Sequence, residues 1–407
     1  MDTTALLRVL TTALEITPQA GDDLFWPLSQ AAHEPSQADQ RLVRLLEQLR
    51  KTPELEVFNN GWQVVANSGG MVSYSALAWW LLARARHVGA EPTLENLRDF
   101  LAASDLSYRM ILALGGITLD SPCTVGQNIT LLPWEKIPDS WGNREAIALL
   151  TGPGSFPNRP TAALVREITL PRQNVTQTEY QQGKHNFAPV DYTDLRDALL
   201  CIGLVGPVAP YELLAWLEPP EWAPILGVTL EAPFHEGSAS SSQWPSGAAM
   251  QAQELCERFS RLSPSNKDLM RLRMQRLSSA MRRQNPVDAA IDLGITLESL
   301  FLNDTNEELS FRLRLRAARL LRQNYDDRVY VFNLVNDLYA VRSAAVHSGR
   351  LTTTNGFFTT ELRKRLRSPY KSKPIKDLLK AGFALAAQAI SYFLQTGEPD
   401  WNQITLA

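Results

Sequence analysis

This sequence predicts an α+β protein with a mostly helical N-terminal region, a mixed α/β middle and an all-helical C-terminal bundle. Three observations lead there. Leucines recur at helical spacing in the first part of the chain, as Leu42, Leu45, Leu46 and Leu49 do. From Gly115 onward, short β-prone runs are broken by Pro, Gly and Asn. After the Ser/Gly-rich stretch EGSASSSQWPSG, Glu236–Gly247, the helical periodicity returns and persists. A chain of 407 residues is too long for one typical core, since cores stop growing at about 250–300 residues.

Taken in order, residues 1–110 hold an amphipathic helix over Asp39–Lys51, a second over Tyr74–His87, and a third short helix opening near Thr93 behind Pro92. The Trp79–Trp80 pair reads as core packing. Residues 111–235 form a mixed α/β region: β-like runs at 115–119, 128–132, 162–170 and 227–231 enclose a helical Tyr192–Leu204. Residues 236–250 are the linker candidate, and 251–407 the bundle. There Pro286 sits at a helix start, followed by an apolar-faced Val287–Leu302. Thr305–Glu308 has the pattern of a capping box opening an Arg-rich helix through Arg322. Asp326 or Asp327 caps a helix that Gly349 stops near Ser348. A basic connection over Gly349–Lys373 leads to a last helix, Pro374–Thr396, closed by Gly397. Helices of this length build an up-and-down bundle.

The net charge of −3 argues, taken alone, against a nucleic-acid binder, but it hides an asymmetry. Lys267–Lys373 carries 20 Lys/Arg against 11 Asp/Glu, so the rest of the chain is acidic. Charge distributed this way hints at nucleic acid near the basic part, or at solvated Arg-rich helix faces. Cys123, Cys201 and Cys256 lie far apart with no CxxC pair, which indicates neither a disulfide framework nor a zinc site and fits a reducing, cytoplasmic setting. The N-terminus has no basic-then-apolar leader pattern. The apolar run Leu77–Leu82 is far short of the about 20 residues a bilayer requires, so no membrane association is expected. Gly152-Pro153-Gly154 and Gly69-Gly70 read as loops without the Lys-Ser/Thr continuation of a phosphate-binding loop, and no Gly-x-Ser-x-Gly elbow occurs. His33, His87, His185 and His235 have no partners at useful spacing.

The informative segment is LYAVRSAAVHSG, Leu338–Gly349. With AAIDLGITLESLFL (Ala289–Leu302) and ELSFRLRLRAARLL (Glu308–Leu321) upstream, it resembles the HEPN superfamily in its Apea-like branch, whose signature is an Arg followed a few residues later by a His near the end of a bundle helix. The segment GGITLDSPCTVGQNITLLPW also looks like the region found ahead of that branch. The resemblance implies a HEPN-like bundle acting as a metal-independent endoribonuclease without cofactors, in antiviral defence or as a toxin. Arg342 and His347 would be its catalytic pair, and Ser343, where the family often has Asn, Asp or His, would orient them. It also implies a homodimer through this domain. Residues 1–235 would then sense a trigger or regulatory protein.

Elementary chemistry gives the motif a mechanism. RNA supplies its own nucleophile, the 2′-OH, so cleavage needs proton transfer and positive charge on the developing phosphorane. An ordinary imidazole titrates near about pH 6.5, and a guanidinium stays cationic with a fork of donors. Residues five apart on a helix lie roughly 140° around its axis, so Arg342 and His347 do not share a face. Two copies of the helix meeting on a two-fold axis could bring both pairs into one cleft. Candidate phosphate contacts are Arg312, Arg314, Arg316, Arg350, Arg363, Lys364 and Arg365. Tyr339 either fills the core or stacks on a base. The competing reading is structural: His347 interacts with helix-end carbonyls, Arg342 pairs with Asp337 or a neighbouring helix, and the bundle is a non-catalytic scaffold that dimerises and binds a protein or RNA. A toxin silenced by a cognate partner is a third.

Overall fold

The computed structural model describes residues 3–15, 40–66, 68–138, 140, 143, 147–150, 159–185, 190–206, 208–225, 230–231, 241–245, 247–302, 308–353 and 355–406. Among these, helices and an antiparallel sheet form an α+β fold.

The N-terminal helices are α1 (Thr3–Ala13), α2 (Gln40–Arg50), α3 (Tyr74–Val88) and α4 (Ala90–Ala102). The leucines predicted to face inward on α2 are buried, and of the Trp pair Trp80 is buried while Trp79 packs on the core. This region is not only helical. Strands β1 (Trp62–Val65) and β2 (Ser68–Met71) make a hairpin, so Gly69-Gly70 lies in a strand. Its free edge takes β8 (Gln173–Val175). Short helix α5 (Gln177–Gln181) brings Tyr180 onto Trp62, with ring centroids 4.0 Å apart, and His185 onto Tyr180 at 4.4 Å.

The main sheet runs β10-β9-β3-β7-β6-β5 and is antiparallel at every pairing. Its strands are β3 (Asp105–Gly115), β5 (Cys123–Gly126), β6 (Ile129–Pro133), β7 (Ala162–Pro171), β9 (Tyr211–Glu218) and β10 (Leu230–Glu231). β3 crosses the boundary expected at residue 110. Its two faces explain the missing alternation: Leu106, Tyr108, Met110, Leu112 and Leu114 enter the large core, while Ile111 and Ala113 pack with Leu214, Trp216 and Ala163 on the other side. A strand buried on both faces reads as an apolar run. Helix α6 (Thr193–Ile202) fills the place expected for Tyr192–Leu204.

Of the expected linker, 236–240 and 246 lie outside the described residues. The rest is anchored. β11 (Ser242–Gln243) pairs in parallel with β4 (Ile117–Thr118), and buried Trp244 donates its indole N–H to the Val205 carbonyl at 3.0 Å. A tryptophan with one apolar body and one satisfied donor is a plug, not a tether.

The C-terminal region comprises α7 (Ala248–Ser260), α8 (Pro264–Arg282), α9 (Pro286–Phe301), α10 (Leu309–Leu321), α11 (Tyr325–Ser348), α12 (Thr360–Arg365), α13 (Ile375–Thr396) and α14 (Trp401–Leu406). Asn285 caps α9 ahead of Pro286, and left-handed Gly349 ends α11, as helix-end chemistry requires. Three expectations need correction. Asn324, not Asp326 or Asp327, caps α11 by accepting from the Asp327 N–H. The capping box falls mostly outside the described residues, and Glu308, its final member, sits ahead of α10 at a left-handed φ of 49° without a side-chain cap. α13 is not last, because α14 follows and its Trp401 is buried against Phe301 and Phe393.

Bundle and sheet share one core running from Leu6 to Trp401. Arg271 of α8 forks onto Asp197 of α6 at 2.7 and 2.9 Å, tying the two regions. Cys201 and Cys256, remote in sequence, meet across α6 and α7. The Cys256 thiol, and then burial, push the Cys201 thiol well above its ordinary value.

Close helix contact in the bundle depends on Gly382 of α13, where a Cβ would stand 2.7 Å from Leu293 and 2.8 Å from Leu338. Gly382→Ala is expected to destabilise the protein by about 1–3 kcal/mol through overpacking, read as a lowered urea midpoint at unchanged slope. The exposed control Ala384→Ser should leave it in place.

Candidate functional site

Helix α11 carries both members of the motif. Arg342 points toward α9 and lies under Gly294, where a Cβ would come within 2.4 Å of the Arg342 Cγ. The glycine is therefore the space that the arginine's stem occupies, a partner the sequence reading did not single out. One guanidinium nitrogen, Nη2, donates to Glu298 Oε2 at 3.3 Å, with both side chains a little under one-third exposed. Nε is buried without a partner among the described residues. Arg342 thus pairs with α9, not with Asp337.

His347 sits in the last turn of α11, exposed, with no hydrogen-bond or ionic partner among the described residues. Ser343 is half-buried and is not hydrogen-bonded to either member of the pair. Helical spacing puts Asn336, Ser343 and His347 within about 40° of one another, on a stripe that Arg342 does not share. Asn336 accepts from Arg314 of α10 at 3.0 Å, so that stripe runs along the arginine-rich helix. Tyr339 packs against the core. Val346, 52% exposed, and Ile295, 37% exposed, leave apolar surface on α11 and α9 beside the Arg342–Glu298 pair.

The basic residues divide sharply. Arg316 is buried: it donates from Nη1 to the Phe301 carbonyl at 2.7 Å and lies over the Trp401 ring at 4.8 Å. The equally buried Arg273 donates to the Ser299 carbonyl at 2.8 Å and pairs with Glu398. Two guanidiniums therefore satisfy carbonyls at the C-terminal end of α9, where helix geometry leaves them without intrahelical partners. Arg316 is withdrawn as an RNA contact for that reason.

Arg314 is half-committed, stacked over Phe332 at 4.7 Å. Burial, and then the charge of Arg367, hold its guanidinium below the ordinary value. Arg312 is half-exposed, 3.9 Å from Glu308. Arg350, Arg363, Lys364 and Arg365 are exposed. Asp337, fully buried on α11, accepts the backbone N–H groups of Arg367 and Ser368 on its carboxylate, each at 2.8 Å. This clasp holds the connection just after α12 against α11, about 7.5 Å along the axis from Arg342 by helical rise. No sequence signal announced it beyond an acidic residue on an otherwise apolar face.

Among the described residues no three His, Cys, Asp or Glu side chains gather as a metal site would need, and no helix is long and apolar enough to cross a membrane. In one chain the arrangement offers an anchored guanidinium on one face of α11, an accessible imidazole on another, and exposed basic side chains on α12 and at Arg350. Comparison with family models, curated proteins and solved structures gives no match.

The division among the arginines is testable by stability. Arg316→Ala should lower unfolding free energy by about 3 kcal/mol or more, because a carbonyl and an aromatic face lose a buried charged partner. The triple change of Arg363, Lys364 and Arg365 to Ala should stay within about 0.5 kcal/mol, both read by chemical denaturation.

Proposed function

We propose that this protein is a metal-independent endoribonuclease of HEPN type, acting as a homodimer in the cytoplasm, in defence or as a toxin. The observation that carries the reading is the state of His347: an imidazole at a helix end, open to solvent and uncommitted, on the helix that also holds an anchored Arg342. The basic residues of α12, Arg350 and Arg312 supply a surface for backbone phosphates.

In the reaction, the imidazole removes the 2′-OH proton and the 2′-oxygen attacks phosphorus. The P–O5′ bond breaks as the 5′-oxygen takes a proton from the imidazolium so formed, giving a 2′,3′-cyclic phosphate and a 5′-OH. The guanidinium offsets charge on the non-bridging oxygens. Because Arg342 and His347 lie on different faces, the pair converges only when a second chain adds its own α11. Val346 and Ile295 are the apolar surface such a contact would cover.

A second reading has its own support. Arg342 already has a carboxylate partner in Glu298, as a guanidinium serving only the bundle's structure would, and this favours a scaffold that dimerises and binds a protein or RNA without cutting it.

Purified protein incubated with total RNA in chelator separates the two. The nuclease reading expects 2′,3′-cyclic phosphate ends, and a loss of about 100-fold or more in His347→Ala. RNA or protein binding without cleavage, unaltered by that change, would establish the scaffold. For the composite site, Val346→Glu should convert dimer to monomer in light scattering and abolish cleavage together; a fully active monomer contradicts it.

A further inference from the structure

Away from the Arg–His motif, a cleft of about 1190 Å³ opens where the α/β region meets the bundle. One wall is a single face of α13, including Lys380, Phe383, Gln388 and Tyr392. Opposite lie Gly203, Leu204, Gly206, Val208 and Ala209, after α6, and the end of α8, Met281–Gln284. Its volume slightly exceeds the upper end, about 1000 Å³, of ordinary small-ligand sites.

The electrostatics of the lining are one-sided. Arg282, Arg283 and Lys380 line the cleft and no carboxylate does, among the described residues. Arg283 is committed to Asp292 at 2.9 Å. Arg282 is half-buried, and its Nε reaches the Ser278 carbonyl of its own helix at 3.3 Å; no carboxylate pairs with it among the described residues. Burial first, and the charge of Arg283 second, hold it below the ordinary guanidinium value. Lys380 is exposed and likewise unpaired among the described residues. A guanidinium taken part-way out of water beside a second cation, with no anion to offset it, is an arrangement that an incoming anion stabilises. The remaining lining is two half-buried aromatic rings, Phe383 and Tyr392, with the side-chain amides of Gln251, Gln284, Gln388 and Gln395. Rings stack on flat heterocycles, and amides pair with their donor and acceptor edges.

We propose that this cleft binds a nucleotide bearing two phosphate groups, with Arg282 and Lys380 on the phosphates and Phe383 or Tyr392 against a base. Two cations without a carboxylate partner among the described residues match two phosphates, and the volume admits either a nucleoside diphosphate or a dinucleotide. The ligand would bridge the residues just after α6, Gly203 and Leu204 among them, and the bundle. The site stands independently of the nuclease reading, since its test reads binding and not RNA cleavage.

The probes are ADP, the linear dinucleotide pApA, ribose 5-phosphate and pyrophosphate, each at about 1 mM with the full chain, followed by titration calorimetry. Either ADP or pApA is expected to raise the Tm by about 3 °C or more, and which one binds tighter identifies the ligand's form. Lys380→Glu, at an exposed position, and Arg282→Gln are each expected to weaken that binding at least tenfold; Lys380→Glu should leave the unliganded Tm unchanged, so a folding defect in Arg282→Gln does not decide the matter. The proposal is overturned if neither nucleotide binds, if pyrophosphate binds as tightly as the nucleotides, or if Lys380→Glu binds them as wild type does.

Discussion

The C-terminal bundle depends on two places where a helix must approach its neighbour more closely than any side chain would allow. At Gly382, α13 closes onto Leu293 of α9 and Leu338 of α11; at Gly294, α9 closes onto the stem of Arg342. Helices ordinarily pack about 8–10 Å apart, at a distance set by the residues between them. Small residues at these points let three helices share one seam. The same closeness fixes where the motif can be, since α11 can neither slide nor rotate without driving Leu338 or Arg342 into its neighbours. The positions of Glu298, Arg342 and His347 are consequences of that packing.

Arginine does three different jobs here, and the differences come from neighbours, not from the residue. Arg273 and Arg316 are interior fittings that terminate α9 by supplying donors to its last carbonyls. Arg271 ties α8 to α6. Arg363 and Arg365 stand in solvent on α12, just ahead of the Arg367 and Ser368 backbone that Asp337 clasps. Alternation of Arg with Leu along α10 presents Arg312, Arg314 and Arg316 on successive faces. Outward exposure therefore falls from Arg312 to Arg316, which ends buried under Trp401.

Helix positions were legible in the sequence because helices announce their ends and faces. Asn285-Pro286 and Gly349 mark termini by chemistry local to a few residues, and the leucines of α2 mark a face. The strands were less legible. YELLAWLE forms β9, but with both faces buried it lacks the period-two pattern that distinguishes a strand from a buried helix turn. EGSASSSQWPSG reads as a tether by composition, yet one tryptophan with a carbonyl to bond and a two-residue bridge anchors its end. Asp337, Gly294 and the meeting of Cys201 with Cys256 are invisible for one reason: each acquires its role from a residue supplied by a different element.

The Arg342–Glu298 pair is the point at which the catalytic and scaffold readings meet. Neither side chain is deeply buried, so the pair lies in the regime where water and salt screen most of the attraction, leaving about 1 kcal/mol or less. A phosphodiester would offer the same guanidinium comparable charge and geometry. Replacing the carboxylate by a phosphate oxygen is therefore close to an even exchange at Arg342. The carboxylate need not block the site; it holds the planar fork in one orientation while no phosphate is there, which lowers the ordering entropy at binding. An ion pair this weak is compatible with a working phosphate contact, whereas the buried pairing of Arg273 with Glu398 is not. What Glu298 cannot do is bring the guanidinium round to the face of His347, because the helix between them is continuous from Tyr325 to Ser348. On the catalytic reading, convergence would have to come from a second helix, and the exposed apolar side chains beside Arg342 are where one would rest.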